Sequence, residues 1–294
     1  MSVLLHVIAG PTASGKTRAA IELAERLGAE IVSADSQQVY RHFDVGTAKP
    51  SAAELARIPH HLVSCVDPLE AFSAARYQVL ADAAIADITG RGKRVVVVGG
   101  TGLYIRVLLH GVVPAPGSDE VLRASLEELD DETLHGRLRE VDPVTAARLP
   151  VKDRVRIIRA LEIHTLTGEP ASAHRERHAF QSARYDFRLW VLDPPRDALY
   201  AAINARTKAM FDAGLLDETR ALVAKGYRDA APMGAVGYAQ ALSVIEGRLT
   251  EAEAVADVAQ KTRHYAKRQW TWFKKEQGAR FVQPPFDVMA FSDA

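Results

Sequence analysis

The segment GPTASGKT (Gly10–Thr17) constrains this chain more than any other. A glycine, four residues and then Gly-Lys-Thr is the spacing of a phosphate loop. Such a loop works only where a strand leads into it and a helix leads out. Both flanks fit: VLLHVIA (Val3–Ala9) is an apolar run with strand character, and RAAIELAERL after the loop is rich in helix formers. Glycines let backbone N–H groups curl around phosphate oxygens at a helix N-terminus, whose dipole favours anions. Lys16 adds a mobile positive charge, and the Thr17 hydroxyl is placed to ligand Mg²⁺. The expected phosphate-binding set is therefore Gly10, Pro11, Thr12, Ala13, Ser14, Gly15, Lys16 and Thr17.

Beyond the loop, strand-like and helix-like segments alternate. EIVSAD is a second strand ending at Asp35, and HLVSCV (His61–Val66) is a third. SAARYQVLADAAIADITGRG has helical spacing of its apolar residues, and RVVVVGG is a continuous apolar run, the mark of a strand covered on both faces. This alternation predicts a doubly wound parallel α/β sheet. Ligands of such sheets bind at the carboxyl ends of strands, where the loop, Asp35 and GGTG (Gly99–Gly102) all fall. VVPAPGSDE then reads as a hinge, and only helical patterns follow from about Asp119 to Arg184. FRLWVLDPP (Phe187–Pro195) returns to the core, and amphipathic helices run on to about Gln277. The expected organisation is a first core segment over 1–114, an all-helical insertion over 115–186, and a second core segment over 187–294 ending in a basic helix.

Charge narrows the partners. Among 294 residues, 37 Lys and Arg balance 37 Asp and Glu, which argues against a uniformly basic nucleic-acid binder and leaves room for a local basic surface. Cys65 is the single cysteine, so neither a disulfide framework nor a Cys-based zinc site is expected. No apolar run approaches the ~20 residues needed to cross a bilayer. The N-terminus enters a strand at once, and a cytoplasmic location is the expectation.

Asp35 closes an apolar strand. It can hold a metal or orient an attacking group, as carboxylates do in P-loop proteins, or act as a general base, or simply cap the next helix. GGTGLY brings backbone and the Thr101 hydroxyl close to whatever lies between that turn and the phosphate loop. Two basic stretches stand out. VKDRVRIIRALEIHTLTG sets Arg156 and Arg159 three apart on one helix face, near Arg154. Residues 261–280 hold seven Lys or Arg against one acidic residue, a local +6. Either stretch alone fits a solvated face, and both together suggest a polyanion such as RNA. The pairs His60–His61 and His174 with His178 lack partners at metal-ligand spacing and read as structural.

A GTPase switch would need Asn/Thr-Lys-X-Asp, which does not occur, and Asp-X-X-Gly appears only as DITG within a helical stretch. A helicase motor would need an acidic pair after a core strand and a larger body. A small-molecule or nucleoside kinase using ATP fits the loop and the size, but leaves the basic helices and the insertion without a role.

GPTASGKT, DSQQVYR (Asp35–Arg41), VGTAKP (Val45–Pro50), GGTGLY, RIIRALEI and YAKRQWTWF occur here in an order that resembles the tRNA dimethylallyltransferases, the bacterial tRNA isopentenyltransferases, over nearly the whole chain. The resemblance implies a kinase-like core with a helical insertion, acting as a cytoplasmic monomer with Mg²⁺. It implies transfer of a dimethylallyl group from dimethylallyl diphosphate to N6 of the adenosine immediately 3′ of the anticodon, with the loop holding the diphosphate. On this resemblance Asp35, Thr101 and Arg206 are catalytic. The anticodon stem-loop would meet Asp35, Ser36, Gln37, Gln38, Thr101, Arg123, Arg156, Arg159, Lys267 and Arg268. One departure is that Gly234 and Ala239, around Gly237-Tyr238, are neutral where relatives often carry a basic residue.

Overall fold

The structure, a computed structural model, describes residues 3–180 and 182–291. Six parallel strands form one sheet: β1 (Leu4–Ala9), β2 (Ala29–Ser33), β3 (His60–His61), β4 (Arg94–Gly99), β5 (Asp186–Leu192) and β6 (Ala279–Val282), in the order β3-β2-β4-β1-β5-β6. Alternation along the strands builds two cores. Leu5, Val7, Val95, Val97, Leu189 and Val191 point to one face, and Ile8, Ile31, Val96, Val98, Trp190 and Leu192 to the other. Helix α1 (Lys16–Leu27) covers the second face with Ala20, Ile21 and Leu23. A short α2 (Ala52–Arg57) precedes β3. Helices α3 (Ala74–Gly90) and α4 (Gly102–His110) cover the first face with Tyr77, Ile85, Ile105 and Leu108. This is the doubly wound α/β architecture the alternation predicts. The connections after β1 and β4, neighbours paired at Ala9 and Gly99, leave on opposite faces and open a crevice between them.

The chain divides into two compact units, residues 1–109 with 184–294, and 110–183. The divisions fall five and three residues before those the hinge sequence suggests. Segment 111–119 is tied to the second unit, since Arg159 donates to the Pro116 carbonyl at 2.7 Å. Arg184 belongs to the first, since its N–H donates to the Leu109 carbonyl at 2.8 Å. The second unit is all helical: α5 (Glu120–Glu127), α6 (Asp131–Val141), α7 (Pro143–Ala146), α8 (Arg154–Thr167) and α9 (Ala171–His178), around Leu134, Leu138, Ile157 and Leu161. The first unit resumes with β5, α10 (Arg196–Asp212), α11 (Leu215–Ala224), α12 (Tyr238–Ile245) and the long α13 (Glu251–Phe273).

Two expectations need correction. HLVSCV is not a strand over its length. Leu62 and Ser64 have φ of 63° and 51°, which no strand tolerates, so β3 ends at His61 and Val66 makes an isolated bridge to Tyr40. Strand β6 follows α13 unforeseen, because its four half-exposed residues carry no apolar run.

Candidate active site

The phosphate loop joins β1 to α1 through Gly15, whose φ of 86° is open to glycine at little cost. Lys16 reaches back to the Pro11 carbonyl at 3.2 Å. From α10, Arg206 donates to Thr12 Oγ1 at 2.6 Å, so a second cation stands over the loop. Burial, then Arg206, lowers the Lys16 ammonium to about 8 against the opposing pull of Asp35. Burial likewise lowers Arg206. Two half-buried cations close together without a full counter-charge are poised to take a polyanion.

The loop after β4 closes over the crevice. The Thr101 N–H donates to the Ala34 carbonyl at 3.2 Å, and Thr101 Oγ1 accepts the Ser36 N–H at 3.0 Å. Its hydroxyl also hydrogen-bonds the Tyr265 phenol. Asp35 Oδ1 accepts the N–H groups of Gln37 and Gln38 at 2.9 and 3.2 Å, closing a turn rather than capping a helix, since the next helix, α2, is capped by Ser51. The turn occupies one oxygen. Among the described residues no hydrogen bond reaches Oδ2. Thr12, Lys16, Thr17, Asp35, Gln38, Thr47, Ala48, Arg206, Tyr265 and Gln269 line one cavity.

Gln37 is not on that wall, and its side-chain oxygen is buried without a partner among the described residues. Among the same residues Ser14 Oγ is buried without one as well. For Mg²⁺, no cluster of three or more acidic, His or Cys side chains exists among the described residues. Thr17 on the cavity wall nonetheless fits this ion, which takes one or two protein oxygens and completes its shell with phosphates and water. The histidine pair at β3 is structural: His61 Nε2 meets Glu30 at 2.7 Å, and His60 Nδ1 donates to the Ile58 carbonyl at 2.7 Å.

The cations expected to grip RNA are not alike. On α13, Lys267 and Arg268 are exposed. In the helical unit, Arg156 is exposed and makes a loose pair with Asp153 at 3.4 Å. Arg123 and Arg159 both bind the fully buried Glu162, Arg123 through Nε at 2.8 Å. Glu162 also accepts the Asp119 N–H at 2.7 Å. Burial pushes this carboxyl up, but the two guanidiniums and the backbone donor outweigh it and hold the group down to about 2. Arg159 and Arg123 are thus committed first to the fold of their own unit. Gly237 and Tyr238 are buried and offer no surface to RNA.

Sequence reasoning missed Gln269, Tyr265, Thr47 and Ala48. Gln269 is a buried polar residue between Ala266 and Phe273 on the apolar side of α13, and that misplaced amide was the available signal.

These features define a P-loop α/β protein whose crevice brings two cations and a carboxylate to the phosphate loop. The chain belongs to the IPP transferase family, whose model matches residues 38–276. It is 65% identical over 289 residues to a tRNA dimethylallyltransferase of Myxococcus xanthus, covering 97% of this chain and 94% of that one. It resembles the crystal structure of a tRNA isopentenylpyrophosphate transferase from Staphylococcus epidermidis at 35% identity and a TM-score of 0.72, with 99% and 96% of the two chains covered. It also resembles a eukaryotic dimethylallyltransferase acting on tRNA, at 27% identity and a TM-score of 0.84, with 96% and 74% covered.

Proposed function

We propose that this protein transfers the dimethylallyl group of dimethylallyl diphosphate to N6 of the adenosine immediately 3′ of the anticodon in tRNA. The observation that carries the reading is the single cavity shared by the phosphate loop, Asp35 and Gln38. Lys16, Arg206 and the loop amides bind the diphosphate, and Thr101 donates to the oxygen that joins it to the prenyl carbon. Thr17 would hold Mg²⁺, which would supply further charge neutralisation. N6 attacks C1 of the prenyl group. The C1–O bond breaks and its electron pair leaves with diphosphate, where the pre-set donors stabilise the developing charge. Oδ2 of Asp35 takes the N6 proton. The base must first leave the anticodon-loop stack, at a cost of a few kcal/mol. Arg156, Lys267 and Arg268 offset that cost on the RNA backbone. We take the protein as a cytoplasmic monomer. Among the described residues no helix is long and apolar enough to cross a membrane.

A kinase using ATP is the other class that a phosphate loop admits. The two separate in one experiment: unmodified tRNA and Mg²⁺ with labelled dimethylallyl diphosphate, beside a matched assay with labelled ATP. Label passing from the prenyl donor to tRNA supports the proposal. Rapid release of phosphate from ATP, without prenyl transfer, overturns it.

A further inference from the structure

Glu218 lies outside the cavity, in the first turn of α11, yet its carboxylate is the most heavily used acceptor near it. It accepts the N–H groups of Asp44 at 2.8 Å, Val45 at 2.9 Å and Gly46 at 3.3 Å, and the Tyr238 hydroxyl at 2.6 Å. The Tyr238 oxygen in turn accepts the Gly46 N–H at 3.0 Å. Tyr238 is fully buried against Phe43, with ring centroids 4.8 Å apart. Burial and the adjoining carboxylate push its phenol far above the ordinary value, so it remains a donor. The ring lies so close that a Cβ on Gly46 would stand 2.5 Å from it. The far end of the same segment is fastened by Lys49, which donates to the Tyr40 carbonyl at 2.5 Å and to Asp44 at 2.7 Å.

This segment reaches the cavity through Thr47 and Ala48. Their carbonyls accept from Gln38 Nε2 at 3.3 and 3.1 Å. Two carbonyl partners decide which end of the amide is nitrogen. The oxygen is then the end left for a ligand, and among the described residues no hydrogen bond reaches it. Gln38 shares the cavity wall with Asp35.

We infer that Glu218, with Tyr238, is a positioning residue that holds segment 44–48 so that Gln38 presents an amide oxygen to the exocyclic amino group of the acceptor base. The inference rests on the proposed transfer to N6 and deepens it. An amino group carries two hydrogens. Asp35 takes one during transfer, and Gln38 accepts a hydrogen bond from the other, which stays on the product. A purine with a carbonyl at that position would set two oxygens against each other. A site built to accept an N–H rejects an analogue that lacks it.

The test compares anticodon stem-loops carrying adenosine or inosine at the acceptor position. Affinities are measured on the full chain with Mg²⁺ and inorganic diphosphate. The wild type is expected to prefer adenosine. That preference should fall about tenfold in Gln38→Ala, the worth of one hydrogen bond. It should fall comparably in Glu218→Gln, whose amide sets its own N–H groups against the segment's donors. In the double variant it should fall no further, because the two residues act through one group. The KM for dimethylallyl diphosphate should stay within about twofold, since the phosphate loop is untouched. Should Glu218→Gln not fold, Tyr238→Phe is judged by the same preference. A variant that folds less stably but keeps the full preference, or losses that add in the double variant, would overturn the inference. A wild type that shows the preference but transfers no prenyl group would instead sink the proposed reaction and leave the positioning intact.

Discussion

Gln269 and Thr12, 257 residues apart, are joined by a 2.8 Å hydrogen bond from the Thr12 N–H to the Gln269 side-chain oxygen. The same amide donates its nitrogen to the Gly100 carbonyl at 2.8 Å. One buried side chain thus ties the phosphate loop to the turn that carries Thr101. Replacing Gln269 with Leu strands a buried donor and a buried acceptor. Each costs about 1–3 kcal/mol when left unmade. We expect a lower thermal midpoint together with a KM for dimethylallyl diphosphate raised by about tenfold, as the two walls of the site lose register. Unchanged values of both would mean that the clamp is incidental.

Lys16 gives the site a pH signature. Its ammonium sits at about 8 in the free protein, and a bound anion raises that value. Below about 8 the free protein already carries the proton, so this group adds no pH dependence there. Above it, binding must take up a proton, and donor affinity falls by up to about tenfold per pH unit until the raised value is passed. Calorimetry in two buffers at pH 9 should show proton uptake. Affinity that stays level from pH 7 to 10 would contradict the burial argument.

The helical unit separates two arginines that look alike in sequence. Arg156→Ala should leave folding unchanged and make log affinity for tRNA against log salt shallower by roughly 0.7–0.9, one phosphate contact. Arg159→Ala acts first on the fold. It uncovers part of Glu162, a buried carboxylate that depends on its partners. The stability that Glu162 contributes is present above its unfolded value near 4.5 and is lost as pH falls toward about 2. The Arg159→Ala destabilisation should therefore be greatest near neutral pH and shrink in acid. A pH-independent loss, or an Arg156 variant with the wild-type salt slope, would count against this division.

The contrast shows where sequence reasoning holds and where it stops. Elements of long period and strong pattern, such as β1, β4 and α1, are legible because alternation and helical spacing follow directly from geometry. Asp35 and Thr101 are legible because a strand end fixes where they stand, and Thr17 because the loop spacing puts it in the first turn of α1. Arg123, Arg156 and Arg159 look equivalent because nothing local reveals that Glu162 is buried between two of them. Gln269, Thr47 and Ala48 reach the cavity only through tertiary packing of α13 and of segment 44–48, on which spacing is silent. The left-handed residues Leu62 and Ser64, which break the expected third strand, likewise answer to their surroundings rather than to their own propensities.

The most direct test of the account is single-turnover transfer of labelled dimethylallyl from its diphosphate to unmodified tRNA, followed by digestion and mass analysis of the nucleosides, for the wild type and Asp35→Asn. We predict that the wild type places the label on N6 of the adenosine next to the anticodon. The variant should bind tRNA within about tenfold of the wild type and transfer ~10²–10⁴ more slowly, the span of a lost general base. Label missing from that adenosine with the wild type, or transfer by Asp35→Asn at the wild-type rate, would contradict the account.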